Sequence, residues 1–366
     1  MRRFAALAIY RLAKFAGLFA LARRLTRGRL RILCYHGFAL KDEAAFRPSL
    51  FMDGGTFARR MDYLKRHGYP VLPFGDAVAR LRAGTLPANA IAITIDDGFA
   101  STGRIAAPIL ASHGFPSLLY LTSYYFAKGT PVFGLAVDYI CWKSPEERVD
   151  LSELGVAGLG QPVTLRPEWR QAISQLVRRH GEKLDEPGRI ELARKLAGLL
   201  GVDYAELCEE RLLSLVSAHE LRELQAMGME IGLHTHRHTF PAEMDGARRE
   251  LAENRRAVEP VIGRSMSHFC YPSGEWSASR FPALEAEGIA TATTCESGLA
   301  TARSHPLALP RILDDSRVSM IEFEAEISGF AELLRMLRGY PRPDMEDLPP
   351  SRPAAAGMTE AARNAA

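Results

Sequence analysis

Cysteine is scarce in this 366-residue chain: Cys34, Cys141, Cys208, Cys270 and Cys295 are an odd number, widely spaced, with no pair at CxxC spacing. That pattern argues against a disulfide framework and suits a reducing compartment. Long apolar runs are missing too. The longest uncharged run in the basic N-terminal stretch, Phe15 to Ala22, is eight residues, whereas a spanning helix needs about 20. No internal repeat is visible. With 47% hydrophobic and 24% charged residues the composition is that of a globular protein, which excludes collagen, a disordered chain and a polytopic membrane protein. The net charge is only +3, and it is unevenly placed. Residues 1 to 31 carry eight arginines and Lys14 with no acid, so the remaining body is mildly acidic and lacks the basic face of a nucleic-acid binder.

The segment MRRFAALAIYRLAKFAGLFALARRL fits a signal peptide poorly, because Arg11 and Lys14 interrupt its apolar stretches. The pattern predicts a basic amphipathic helix over residues 1–29, either packed on the body or lying on an anionic lipid surface. At the other end, residues 341–366 hold little apolar content and read as a disordered tail. Between them, short apolar runs alternate with helix-period segments: RILCY from Arg31, IAITI from Ile91, SLLYLT from Ser117, MEIGL from Met229, HFCY from His268, IATAT from Ile289 and ALPRI from Ala308. Such alternation predicts an α/β domain over 30–340 with a mostly parallel sheet, open or closed into a barrel. Helices are expected over Thr56 to His67, behind a Thr56 cap, and over His219 to Met227. One connection, from Thr122 to Gly228, has 107 residues, far more than a crossover needs. It reads as a helical insertion of about 123–217, with helices WRQAISQLVRRH, RIELARKLAGLL and AELCEERLLSLV.

The chemistry gathers where apolar runs end, which is where sites assemble in parallel α/β sheets. Asp96, Asp97 and Gly98 follow IAITI. A strand-end carboxylate is often only a helix cap, but two side by side repel each other and each needs water or a cation. His234, Thr235, His236, Arg237 and His238 follow MEIGL, and His234 and His238 with one carboxylate form a two-histidine metal set with open coordination positions. His236, between them, reads as structural. Cys270, Tyr271, Pro272, Ser273 and Gly274 suggest a tight turn, with Tyr271 and Ser273 as candidate oxyanion or substrate contacts. His36, after RILCY, is a lone strand-end histidine whose role depends on whether it faces the same site.

The order ILCYHGF, ITIDDGF, EIGLHTHRH, FCYPSG and LPRI resembles the polysaccharide deacetylase family, carbohydrate esterase family 4, from about Arg31 to Ile312 apart from the insertion. The resemblance implies a distorted seven-stranded (β/α) barrel and removal of acetyl groups from N-acetylhexosamine units of a polysaccharide, oligosaccharide or glycolipid in envelope or exopolysaccharide biosynthesis. It assigns the base to Asp96 and one divalent ion to Asp97, His234 and His238: zinc, with cobalt, nickel or manganese as alternatives. The usual motif arginine is absent from the Cys270–Gly274 turn, where Ser273 stands in an aromatic's place. His36 lies where one branch of the family keeps its acid, and Arg311 is the candidate to orient Asp96 instead of the missing arginine. The implied partner is an acetylated saccharide or glycolipid, with no nucleic acid. The expected location is the cytoplasm, at the inner membrane face. The rival readings are a noncatalytic saccharide-binding or regulatory protein on the same fold, and an O-acetyl esterase.

Overall fold

The computed structural model describes residues 2–339; the expected tail of 341–366 lies outside the described residues. Seven parallel strands close into a barrel in chain order: β1 (Arg31–Tyr35), β2 (Ile91–Ile95), β3 (Ser117–Leu121), β4 (Met229–Leu233), β5 (His268–Cys270), β6 (Thr291–Ser297) and β7 (Leu309–Leu313), with β7 pairing back onto β1. Each strand is one of the apolar runs. They are buried on both faces, as parallel strands under helices must be, so β1, β2 and β3 have no exposed position. Alternation sorts the side chains into two clusters. Ile32, Ala92, Leu118, Tyr120 and Cys270 share one, while Leu33, Ile93, Ile95, Leu119 and Ile231 share another with residues of the surrounding helices, such as Phe57 and Met61.

The N-terminal segment departs from the expected single helix. It forms α1 (Arg2–Phe15) and α2 (Leu18–Leu25), broken where Gly17 takes φ 75°, a left-handed turn. The helix expected behind Thr56 instead starts at Gly54, capped by Asp53, whose Oδ1 accepts from Thr56 N at 2.9 Å.

The long connection is an insertion with its own apolar core, built chiefly on α3 (Phe133–Lys143), α4 (Pro167–Gly181) and α5 (Glu186–Leu199). It also holds a two-stranded antiparallel sheet, Arg148–Val149 with Val163–Thr164. The third expected helix stops early, spanning only Tyr204–Glu209. Beyond it Ser214 bridges to Pro131 within the insertion and Leu215 to Phe99 of the body, with Arg211 and Leu213 at positive φ. These tertiary pairings override helix propensity. Helix α6 (Met244–Ile262) follows β4. The chain then closes with α7 (Met320–Ile327) and α8 (Phe330–Leu337), which pack on α1 and α2.

Candidate active site

Strand register places the catalytic candidates together at the C-terminal end of the barrel. Tyr35 pairs with Ile95, Ile95 with Leu119 and Leu121 with Leu233, so His36 and Asp96 leave adjacent strands at one level, and His234 follows one strand further round and two residues higher. After β2 the chain turns sharply, with Asp97 at φ 68° and Gly98 at φ 89°. A Cβ on Gly98 would meet Leu121 Cδ1 at 2.2 Å, so only glycine fits. After β4, Thr235 (φ 63°) and His238 (φ 57°) adopt left-handed conformations unusual for their residue types. This contorted loop is held from α6. Buried Asn254 accepts from His234 N at 3.2 Å and donates to Leu121 O at 3.0 Å, and Glu250 accepts from Arg237 N at 2.7 Å.

The result is that His234 Nε2 and His238 Nε2 both point at Asp97 Oδ1, at 3.4 and 3.3 Å, with their rings 4.9 Å apart. His234 Nδ1 sits 2.8 Å from Cys270 O, a contact that leaves Nε2 free to act as ligand. One donor atom from each of Asp97, His234 and His238 lies within 4.8 Å of the others, and His238 is exposed on the cavity side. A carboxylate and two imidazoles converging in this way fit a divalent ion of the zinc type. Burial opposes ionisation of Asp97, but the two histidines outweigh it and hold its carboxyl well below the usual range. Two other groupings, Cys34 with His36 and Asp96, and Asp96 with His234 and Cys270, share Asp96. They suit a cation poorly, because Asp96 already faces a buried guanidinium.

That guanidinium is Arg311, fully buried within the barrel. Its Nη1 donates to Asp96 Oδ1 at 2.7 Å and its Nη2 to Oδ2 at 2.8 Å, while Nε donates to Thr294 O at 2.8 Å. A planar fork on a carboxylate sets both the position and the plane of the acceptor. Burial pushes the Asp96 carboxyl up, and Arg311 more than reverses this, so it stays ionised far below neutrality. Cys270 Sγ donates to Asp96 Oδ2 at 3.3 Å, and burial pushes that thiol well up, so it remains protonated. His36 Nε2 stands 3.7 Å from the same oxygen. The neighbouring carboxylates are thus divided: Asp97 belongs to the histidine pair and Asp96 to Arg311 and His36.

Tyr271 does not join them. Its N–H donates to Thr293 O, and its hydroxyl donates to Leu307 O at 2.9 Å among Phe240 and Phe269. With both donors occupied and the ring in the core, it supplies no oxyanion contact, contrary to the sequence expectation. Ser273, at φ 57° in the next turn, does reach the cavity wall with Asp97 and His238. His236 accepts the structural role expected of it in part, with Nδ1 2.9 Å from Ser123 Oγ, yet it also lines the cavity.

Sequence reasoning missed the far wall of this cavity, a space of about 750 Å³. Leu50 and Phe99 from the body, with Val132 and Leu135 from the insertion, form an apolar face, and Arg47, Arg178 and Arg189 add cations. Asp138 is shared, 2.7 Å from Arg47 and 3.2 Å from Arg178. Two guanidiniums on one carboxylate leave a surplus positive charge. No motif marks these residues; the length of the insertion was the only signal.

The fold and the site define a closed (β/α) barrel that carries a carboxylate pair and a histidine pair on its strand ends. Residues 200–292, which include both metal-candidate histidines and the Ser273 turn, match the family model for polysaccharide deacetylase. Together with the order of the motifs, that match makes the chain similar to the polysaccharide deacetylase family, hydrolases acting on amide bonds. A search of curated proteins returned no match. Among solved structures the chain is similar to the deacetylase PplD of Streptococcus pyogenes, determined with acetate (16% identity, 82% of this chain and 99% of that one, TM-score 0.53). It is also similar to IcaB from Ammonifex degensii (17%, 82% and 97%, 0.52) and to a de-N-acetylase from Aggregatibacter actinomycetemcomitans (15%, 81% and 98%, 0.51). At these identities the likeness is one of fold.

Proposed function

We propose that the protein is a metal-dependent deacetylase that removes the acetyl group from an N-acetylhexosamine unit of a saccharide or glycolipid used in envelope or exopolysaccharide assembly. The observation that carries this reading is the division of the adjacent carboxylates, Asp97 with His234 and His238, Asp96 with Arg311 and His36. Asp97, His234 and His238 would hold a divalent ion, with zinc the choice that suits the donor set. When bound, such an ion supplies Lewis acidity to an acetamide carbonyl and to water. Asp96, kept ionised and aimed by Arg311, takes the proton from the attacking water. As a carboxylate held so low it is a weak base, so it depends on that water being acidified nearby. His36, beside Asp96, gives a proton to the departing amine, which is a poor leaving group without one. The turn at Ser273 offers a backbone N–H toward the developing oxyanion.

The mixed apolar and cationic far wall supports a substrate with an apolar or anionic group next to its acetamido sugar. This favours the glycolipid within that class. Five free thiols support a reducing location, which we assign to the cytoplasm. The test is acetate release from acetylated oligosaccharides and glycolipids by protein stripped with a chelator and reloaded with zinc, alongside metal analysis of His234→Ala. Activity that ignores the chelator, or equal stoichiometric metal in the variant, would remove the assignment.

A further inference from the structure

The described helices include none long and apolar enough to cross a membrane, yet α1 and α2 expose an apolar surface. Phe15 is 94% exposed, Phe4 81%, Leu12 68% and Leu25 63%, with Ile9, Leu18 and Leu21 also open. These seven are half of the fourteen large exposed apolar side chains among the described residues. Helical spacing puts Phe4, Ala8, Leu12 and Phe15 on one face of α1, and Leu18, Leu21 and Leu25 on one face of α2. The two stripes meet at the Gly17 turn. Opposite them, Tyr10, Ala13, Phe19 and Ala22 pack on Ala325, Phe330 and Ala331 of α7 and α8.

The basic residues sort the same way. On the packed side Arg3 pairs with Glu322, Lys14 with Glu324 and Arg29 with Glu332, while Arg23 lies over the Tyr69 ring. Arg11, Arg24 and Arg27 are exposed and make no ion pair among the described residues. Acids are absent before Asp42. An apolar stripe bordered by unpaired cations, with no anion to repel a negative surface, has the composition of a helix lying in a lipid interface.

We propose that α1 and α2 are a docking face for an anionic lipid surface, on which they lie flat, with Phe4, Leu12, Phe15, Leu18, Leu21 and Leu25 entering the headgroup region and Arg11, Arg24 and Arg27 meeting lipid phosphates. The occupant is lipid rather than a second copy because like-charged faces would confront each other in a symmetric pair. Charge and apolar burial add in such binding, and each basic residue contributes roughly fivefold at low salt.

The experiment is flotation of the full chain with vesicles of phosphatidylcholine alone or with added phosphatidylglycerol, at low and high salt. The intact protein should float with the anionic vesicles and be released by salt. The Arg11→Gln, Arg24→Gln, Arg27→Gln variant should partition on the order of 100-fold more weakly, and Leu12→Ser with Phe15→Ser should also lose binding. All five positions are solvent-exposed, and an unchanged thermal midpoint confirms the fold. Failure of the intact chain to float with anionic vesicles, or equal flotation by the arginine variant, overturns the proposal. So does a dimer, seen by light scattering, that Leu12→Ser with Phe15→Ser abolishes, since the face would then serve self-association.

Discussion

The candidate active-site cavity has two walls of different origin. One is made by barrel strand ends, where Asp96, Asp97 and His234 are buried and each is held by at least one close polar contact. The other is made largely by the insertion, where Arg178 is 47% exposed and shares Asp138 with Arg47. On the first wall, position follows from backbone hydrogen bonding between strands, so a few residues within one layer define the geometry to a fraction of an ångström. On the second, position depends on how a separately cored unit docks, through bridges such as Phe99 to Leu215. Under the proposed function, the contrast would put the chemistry on the barrel and substrate choice on the insertion.

The sharpest test of that contrast is to change the barrel wall. Asp96→Asn and His36→Gln should each keep bound metal while kcat falls by about 10²- to 10⁴-fold, the usual worth of a positioned acid or base. Turnover near that of the intact enzyme in either variant would strip that residue of its role and weaken the division between walls.

Arg311→Met comes next. It leaves the Asp96 carboxylate buried without its partner, a loss of about 3–5 kcal/mol in unfolding free energy. Because the folded-state carboxyl is held low in the intact protein, the pair stabilises at and above the usual carboxylate range, and that contribution fades as pH falls below it. Without Arg311, burial is opposed only by His36 and His234, so this carboxyl rises from its low value. The acid limb of kcat should therefore move to higher pH in the variant, and a profile that does not move would reduce Arg311 to a purely structural ion.

The smallest expected effect lies on the insertion wall. Arg47→Gln with Arg178→Gln removes two partly exposed guanidiniums, and KM for a phosphate-bearing acetylated glycolipid should rise about tenfold while kcat hardly changes. A neutral acetylated oligosaccharide should show no such rise. If both substrates respond alike, or kcat falls with KM, the insertion takes part in chemistry and the two-wall distinction fails.

Much of the barrel wall could be read from residue order alone. Each apolar run became a strand within a few residues, because a run too short for a helix and buried on both sides has few alternatives. The candidate histidines and carboxylates were legible because they follow directly on those runs. Errors came where longer-range contacts decided. Tyr271 sits in the motif turn but its ring points into the core, which alternation after a three-residue strand leaves ambiguous. Asn254, twenty positions beyond His234, has no motif to mark it, and only the packing of α6 on β4 makes it the residue that holds the histidine loop.

The sequence by itself determined the strand order, the strand-end chemistry and the concentration of positive charge in the first thirty-one residues, since all three are local along the chain. Only the tertiary structure decided that Arg311 reaches across the barrel to Asp96, and that the insertion lines the cavity with Arg178 and Val132. It alone also sorted the N-terminal arginines into paired and unpaired faces. Those outcomes rest on contacts between residues up to several hundred positions apart. Their partners are selected by burial and charge compensation in the folded state, which no local pattern encodes.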